Sequence, residues 1–247
     1  MKNKIKWILI IVLLGACAKT NVTKYYMLDY VPEPTPERLA KGAWPVSVRI
    51  REFAIAEAYR RNQMVYRQSA HELRFYNYEL WAVNPEYLVS DMIYKHIRDV
   101  KLFRELTRSV GAEESDYVLR GEITALEEYD SETHWYAHIA LSMQLQETQS
   151  QSVVWARTWD YRKKVAQQEP VYVVRELSTL LEKIVDEAIA DLDSLMESNF
   201  NANIQDKTSP QIISPLTVPE PCPSEESDSV ESDVLPVPEE LPPPEDI

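Results

Sequence analysis

The first apolar feature of the chain is an unbroken run, Trp7 to Leu14, behind the basic residues Lys2, Lys4 and Lys6. Eight residues are too few to cross a hydrocarbon core of about 30 Å, which takes about 20. A basic head before a short apolar stretch is instead the pattern of a secretory signal. Beyond it the chain alternates. Lys24 to Tyr30 reads as a first strand, and residues 31–43 as a Pro-broken connector. Trp44 to Phe53 places Val46, Val48 and Ile50 on one face at period two. Met64 to Arg67 and Glu72 to Tyr78 predict a hairpin. The period then lengthens. Asn84 and Pro85 open a helix whose stripe is Leu88, Val89, Met92, Ile93, His96, Ile97 and Val100.

Three further strands follow. Asp116 to Glu127 sets Tyr117, Leu119, Gly121, Ile123 and Ala125 together. From His134 to Gln146, Trp135, Ala137, Ile139, Leu141, Met143 and Leu145 point one way. His134, Tyr136, His138, Ser142, Gln144 and Gln146 point to a wetter face. Residues 147–152 read as a turn before a strand from Val153 to Tyr161. Pro170 to Ser198 predicts a long amphipathic helix with Val173, Leu177, Leu180, Leu181, Ile184, Val185, Ala188, Leu192 and Leu195 in its stripe. Half-apolar strands and striped helices need one another for burial. The expected fold is α/β (α+β): a two-layer domain with an antiparallel or mixed sheet covered by two amphipathic helices.

Charge separates the ends from the middle. The 247 residues carry a net charge of −14, yet residues 1–16 hold three Lys and no acid. Residues 201–247 hold eleven acids and one Lys, along with ten of the 16 Pro and no aromatic residue. Such a composition cannot bury enough surface to offset its chain entropy, so the segment reads as a disordered acidic tail. The expected organisation is a signal at 1–16, a tether with first strand and connector at 17–43, a domain at 44–200 and the tail at 201–247. The acidity argues against nucleic acid, which rewards clustered Lys and Arg.

The chemistry of known catalytic motifs is sparse. Four Gly leave little for a phosphate cradle, and no GxGxxG, Walker A, CxxC, HExxH or GxSxG occurs. His134 and His138 are about 13 Å apart along a strand, too far for one metal, and read as solvent-facing. His71 and His96 have no recognisable partner. The expectation is therefore no enzyme, no cofactor and no metal. The aromatic load says more. Fourteen Tyr and six Trp stand against four Phe, and Tyr59, Tyr66, Phe75, Tyr76, Tyr78 and Trp81 fall within 23 residues. Tyr and Trp join apolar area to a polar tip, which suits a protein interface and equally a core whose tips reach water.

Leu14-Gly15-Ala16-Cys17 resembles a bacterial lipobox, in which cleavage before the cysteine leaves Cys17 to be acylated. Two or more acyl chains anchor durably, and with Cys17 alkylated, Cys222 in the tail has no intramolecular partner. Ala18 after the cysteine resembles the signal that favours the outer over the inner membrane. Cys17, Tyr25-Tyr26-Met27-Leu28, Val46-Ser47-Val48-Arg49-Ile50, Phe53, Tyr59, Met64-Val65-Tyr66-Arg67, Glu72-Leu73-Arg74-Phe75-Tyr76, Trp81, Pro85 and Asp116-Tyr117-Val118-Leu119-Arg120-Gly121 follow one another in that order. In this order of features the mature chain resembles, over residues 17–198, the ABC-type transport auxiliary lipoproteins (the PqiC/YmbA-like family). The resemblance implies a periplasm-facing, non-catalytic envelope component that works with a mammalian-cell-entry (MCE) domain protein and an ABC permease and ATPase in lipid movement. A homo-oligomer is compatible with it. The acidic tail departs from the family's compact form. Two other readings stand beside this one: a stand-alone lipid- or ligand-binding lipoprotein, and an assembly factor of an outer-membrane complex.

Overall fold

The computed structural model describes residues 22–109, 115–131 and 133–208, with side chains up to residue 201. The signal segment, Cys17, Cys222 and most of the tail lie outside the described residues.

Fourteen consecutive residues form β7 (Tyr117–Asp130), which organises a nine-stranded mixed sheet. One edge of β7 pairs antiparallel with β8 (Trp135–Glu147), which pairs in turn with β9 (Val153–Lys164). Its other edge is shared. Going along β7, it carries β2 (Trp44–Ile50), β3 (Ala54–Ile55) and β4 (Gln63–Ser69), all parallel to it. Beyond β2 lies β6 (Phe103–Thr107), and beyond β4 lie β5 (Glu72–Trp81) and β1 (Lys24–Tyr26). The predicted hairpin is therefore β4–β5, and the mixed sheet is as expected.

Three helices accompany the sheet: α1 (Pro36–Lys41), α2 (Pro85–Asp99) and α3 (Pro170–Thr208). Every predicted stripe residue of α2 is buried, and so is that of α3 except Leu195, which is half-buried. Burying one such side chain is worth roughly 2 kcal/mol, whereas helix propensities differ by tenths, so packing decides where these helices lie. Both rest on the sheet face formed by Leu119, Ile123, Ile139, Leu141 and Leu145. Helix α2 ends in a Schellman arrangement: Lys101 N–H donates to Arg98 O (3.0 Å) and Leu102 N–H to Ile97 O (3.4 Å), with Lys101 at φ +52°. Leu102 and Ile97 are both buried, closing the motif and turning the chain into β6.

Several expectations need correction. The first strand stops at Tyr26 rather than Tyr30. The connector contains α1, with Thr35 Oγ1 accepting from Arg38 N–H (3.2 Å), Pro36 in its first turn and Gly42 (φ +72°) after its end. Asn84 precedes α2, but its side chain makes no cap bond; its carbonyl accepts from Tyr87 and Leu88 instead. Strands β3 and β6 had no alternation to announce them. Helix α3 continues to Thr208, beyond its expected end at Ser198. Ala125 does not share the face of Leu119 and Ile123, because the register slips between Ile123 and Ala125. That slip is a β-bulge, which inverts the side-chain phase of everything after it.

Gly121 is fixed by packing. The Phe53 ring lies directly over it, where a Cβ would sit. Phe53 is itself buried, and its N–H donates to Ser90 Oγ (3.0 Å) on α2, which fixes the ring's position. Gly121→Ala is expected to lower stability by about 2 kcal/mol through overpacking, as read by urea denaturation. The same change in a Phe53→Ala chain is expected to cost far less, because the clash is gone. Strictly additive losses in this double-mutant cycle would show that the two residues do not oppose each other.

Candidate functional site

Two consecutive acids, Glu127 and Glu128, take opposite faces of β7, the bulge decides which acid takes which face, and both are buried. Glu127 lies on the face away from the helices. Tyr59 OH donates to its Oε2 (2.6 Å), Arg67 Nε to its Oε1 (2.9 Å), and His138 Nδ1 lies 2.9 Å from Oε1. His138 also reaches Asp160 Oδ1 through Nε2 (3.0 Å). Tyr59 comes from a single 3-10 turn (Glu57–Tyr59), Arg67 from β4 and His138 from β8, so three elements meet on one carboxylate, and His138 extends the group to Asp160 on β9. Burial alone raises the Glu127 carboxyl. The bonds from His138, Arg67 and Tyr59 outweigh it and hold the group below the usual range. Burial and the Glu127 contact push the Tyr59 hydroxyl up to about 12. His138 is thus buried rather than solvent-facing. His134 is exposed, just before β8.

Glu128 points the other way, into the layer under the helices, and has one type of partner. Tyr76 OH donates to both of its oxygens (3.0 and 3.1 Å). The Tyr76 ring packs on Tyr66, centroids 4.7 Å apart. Burial pushes the Glu128 carboxyl up to about 8; the Tyr76 bond opposes this and the charge of Asp130 adds to it.

A third polar group sits at the edge of β9. Arg157, Trp159 and Tyr161 all point at Glu187 of α3, with Trp159 Nε1 at 3.0 Å and Tyr161 OH at 3.0 Å. Arg157 also meets Asp191 (2.9 Å). These contacts clamp α3 to the sheet. A fourth holds the connector. Asp193 accepts from Trp44 Nε1 (2.8 Å) and Lys41 Nζ (3.0 Å) and pairs with Arg38. His96, in the stripe of α2, is buried between Tyr30 OH (3.3 Å) and Asp186 (3.2 Å). Burial lowers its pKa, opposed by Asp186 and Asp99. All four groups tie one element to another. Among the described residues no set of three or more His, Cys, Asp or Glu is placed to hold a metal ion.

The six aromatic residues marked by the sequence divide. Trp81 and Tyr59 are buried in the core, and Tyr66 and Tyr76 are half-buried around Glu128. Phe75 and Tyr78 are exposed on β5. The Arg61 guanidinium stacks 3.9 Å above the Phe75 ring. Strand β1 pairs with β5 only at residues 79–81, so the outer edge of β5 from Glu72 to Tyr78 has no paired strand among the described residues. Sequence reasoning missed Tyr25 and Met27, which are exposed on or beside the same edge. Their outward placement follows from Tyr26 and Leu28 turning inward. Among the described residues no helix is long and apolar enough to cross a membrane.

The pH response of Glu128 follows from its raised carboxyl. Between its ordinary value of 4.5 and about 8 the folded chain holds a proton that the unfolded chain has released. Its contribution to stability is therefore full at low pH and is lost as pH rises through that window. Glu128→Gln keeps the Tyr76 bond and removes the titration. It is expected to leave stability near that of the parent at about pH 4, and to exceed it by on the order of 3 kcal/mol at about pH 9. Thermal unfolding across that range is the check; parallel profiles for the two proteins would refute the assignment.

Comparison with known proteins adds to this geometry. A crystal structure of a Xanthomonas campestris protein of the DUF330 family superposes with a TM-score of 0.62 at 18% identity, covering 72% of this chain and 99% of that one. A second crystal structure, of an uncharacterised protein, gives a TM-score of 0.54 at 12% identity over 69% of this chain and 99% of the other. At these identities the likeness is one of fold. Among curated proteins none matches. The family model of the ABC-type transport auxiliary lipoprotein component matches residues 26–190, which hold all nine strands except the start of β1, together with α1, α2 and the first half of α3. The chain belongs to the family of ABC-type transport auxiliary lipoprotein components.

Proposed function

We propose that the protein is a non-catalytic, lipid-anchored auxiliary component of an MCE/ABC-type lipid transport system of the bacterial envelope. The observation that carries this reading is the family match over residues 26–190. It is supported by the Leu14-Gly15-Ala16-Cys17 sequence, which provides a single acylation point ahead of the domain. On this reading residues 1–16 are removed, Cys17 anchors the chain to the outer membrane, and the domain faces the periplasm. Residues 201–247 form an acidic extension.

The polar groups support a structural rather than a catalytic role. Each bridges separate elements, and the buried Glu127 spends its oxygens on Tyr59, Arg67 and His138. Docking to the MCE-domain protein is assigned to the β4–β5 hairpin, where Phe75 and Tyr78 stand out from the surface. Tyr66 and Tyr76 pack on each other within the same hairpin, and Tyr59 and Trp81 belong to the core. Exposed aromatics over a rigid base lose little entropy on binding and are common interface anchors.

Two measurements test this. Cys17→Ser is expected to release the protein from membranes and to remove the acyl mass from its mature form; retention with unchanged mass would end the anchor reading. A photo-crosslinker replacing Phe75 or Tyr78 in native membranes is expected to capture an MCE-domain protein. Phe75→Ser with Tyr78→Ser is expected to weaken that association by roughly tenfold or more, about 1.4 kcal/mol. Capture of a different envelope complex, with no MCE protein, would favour the assembly-factor reading.

A further inference from the structure

We propose that Val22, Tyr25, Met27 and Val31 lie in the headgroup layer of the bilayer that holds the acyl chains, so that the β1 edge of the sheet faces the membrane. This inference rests on acylation of Cys17, the reading given above. The four side chains are 75%, 67%, 57% and 77% exposed, and they fall within the first ten described residues. Single exposed apolar residues are ordinary, but a run of them marks a contact surface.

The segment that carries them is held firmly. Strand β1 pairs with β5, and Tyr26 OH donates to Glu79 (2.5 Å). Leu28 is buried, Asp29 N–H donates to Ser178 Oγ of α3 (3.1 Å), and the Tyr30 ring packs edge-on against His96. Residues 26, 28 and 30 thus turn inward, and residues 25, 27 and 31 are presented outward on a fixed backbone. No repacking of the fold brings them inside.

Chain length names the occupant. Val22 lies five positions along the chain from Cys17 and Tyr25 eight. Fully extended, these spans reach at most about 18 Å and about 29 Å. A diacylated cysteine sits at the boundary of the hydrocarbon, so in the anchored protein the start of the strip stays within those distances of the bilayer. That tether gives the membrane a standing advantage over a diffusing partner through effective concentration. The composition suits a shallow position. Tyr is at home at the membrane–water interface, and Lys24, which pairs with Glu79 (3.4 Å) but keeps an exposed side chain, places a cation beside anionic headgroups. Asp29 and Glu33, exposed between and beyond the strip residues, keep it out of the hydrocarbon.

The test uses the full-length acylated protein with Cys222→Ser and Met27→Cys, labelled with an environment-sensitive nitrobenzoxadiazole dye. Acylated Cys17 does not react. The protein is reconstituted into phosphatidylethanolamine–phosphatidylglycerol vesicles, with or without a lipid bearing a shallow nitroxide quencher. The control carries the dye at Val153→Cys, an exposed position on β9 at another edge of the sheet. The expected result is a blue-shifted emission at Met27 and quenching at least about twofold stronger than at Val153. Equal quenching at the two sites in vesicle-bound protein would overturn the membrane-facing strip and leave the anchor standing. So would a dye at Met27 that stays exposed on vesicles and is shielded only when an MCE-domain protein is added. Protein that neither floats with vesicles nor carries acyl mass would overturn the anchor first, and the strip with it.

Discussion

Between Ile123 and Ala125, strand β7 carries Thr124 with no partner on β8, and the two-residue repeat of the strand changes phase there. Before that point Leu119 and Ile123 face the helices. After it Leu126 and Glu128 take that face and Glu127 takes the other. The extra residue is held in place, since Thr124 Oγ1 donates to Ala140 O (3.2 Å) across the strand pair. Because β7 lends one edge to β8 and the other to β2, β3 and β4 in turn, this single irregularity sets how the two halves of the sheet meet. Without it Glu127 would point into the apolar layer beneath the helices, away from Arg67 and His138.

The two acids show how differently a buried carboxylate can be accommodated. Removing an ion from water costs several kcal/mol even after relaxation. Three donor groups from three other elements offset that cost at Glu127 and keep it charged. At Glu128 a lone phenol is too little, and the group keeps its proton instead. The first solution welds β4, β7, β8 and the 3-10 turn together, and the second avoids an unpaired charge at Glu128. Both carboxyl groups thereby tie elements of the fold to one another.

Much of the fold was legible because the period of the apolar residues changes cleanly along the chain. The stripe from Leu88 to Val100, the alternation from Trp135 to Leu145 and the stripe from Val173 to Leu195 each report a surface that faces only one neighbour. Strands β3 and β6 gave no such signal, since two and five residues at the margin of a sheet need little alternation. Helix α1 did carry a signal that was passed over. Thr35-Pro36 before it and Gly42 after it are capping residues, but three Pro nearby made the segment read as a connector. His138 shows the limit of period two: its face is polar, yet its partners Glu127 and Asp160 close over it. Polarity tells a strand which face is wet only when no charged neighbour lies across from it. The six aromatic residues divided for a similar reason, as ring type does not reveal which side of β5 a residue takes once the pairing with β4 becomes irregular.

The connector between β1 and β2 links the architecture to its place in the envelope. It leaves the sheet edge at β1, crosses the helices by way of Ser178, His96 and Asp186, and returns to the sheet through the Asp193 contacts with Arg38, Lys41 and Trp44. A pull on the N-terminus is therefore borne by both helices and by the sheet. A tether attached to a loose loop would let the domain swivel freely at the membrane. One attached to a strap bonded at several points along its length transmits orientation as well as position. Under the proposed docking role orientation matters, because an exposed hairpin such as β4–β5 would meet a partner efficiently only if it were held at a constant height and angle above the bilayer. The strength of the strap and the exposure of the hairpin are then two parts of one requirement, met by ion pairs in the first case and by aromatic rings on a rigid sheet in the second.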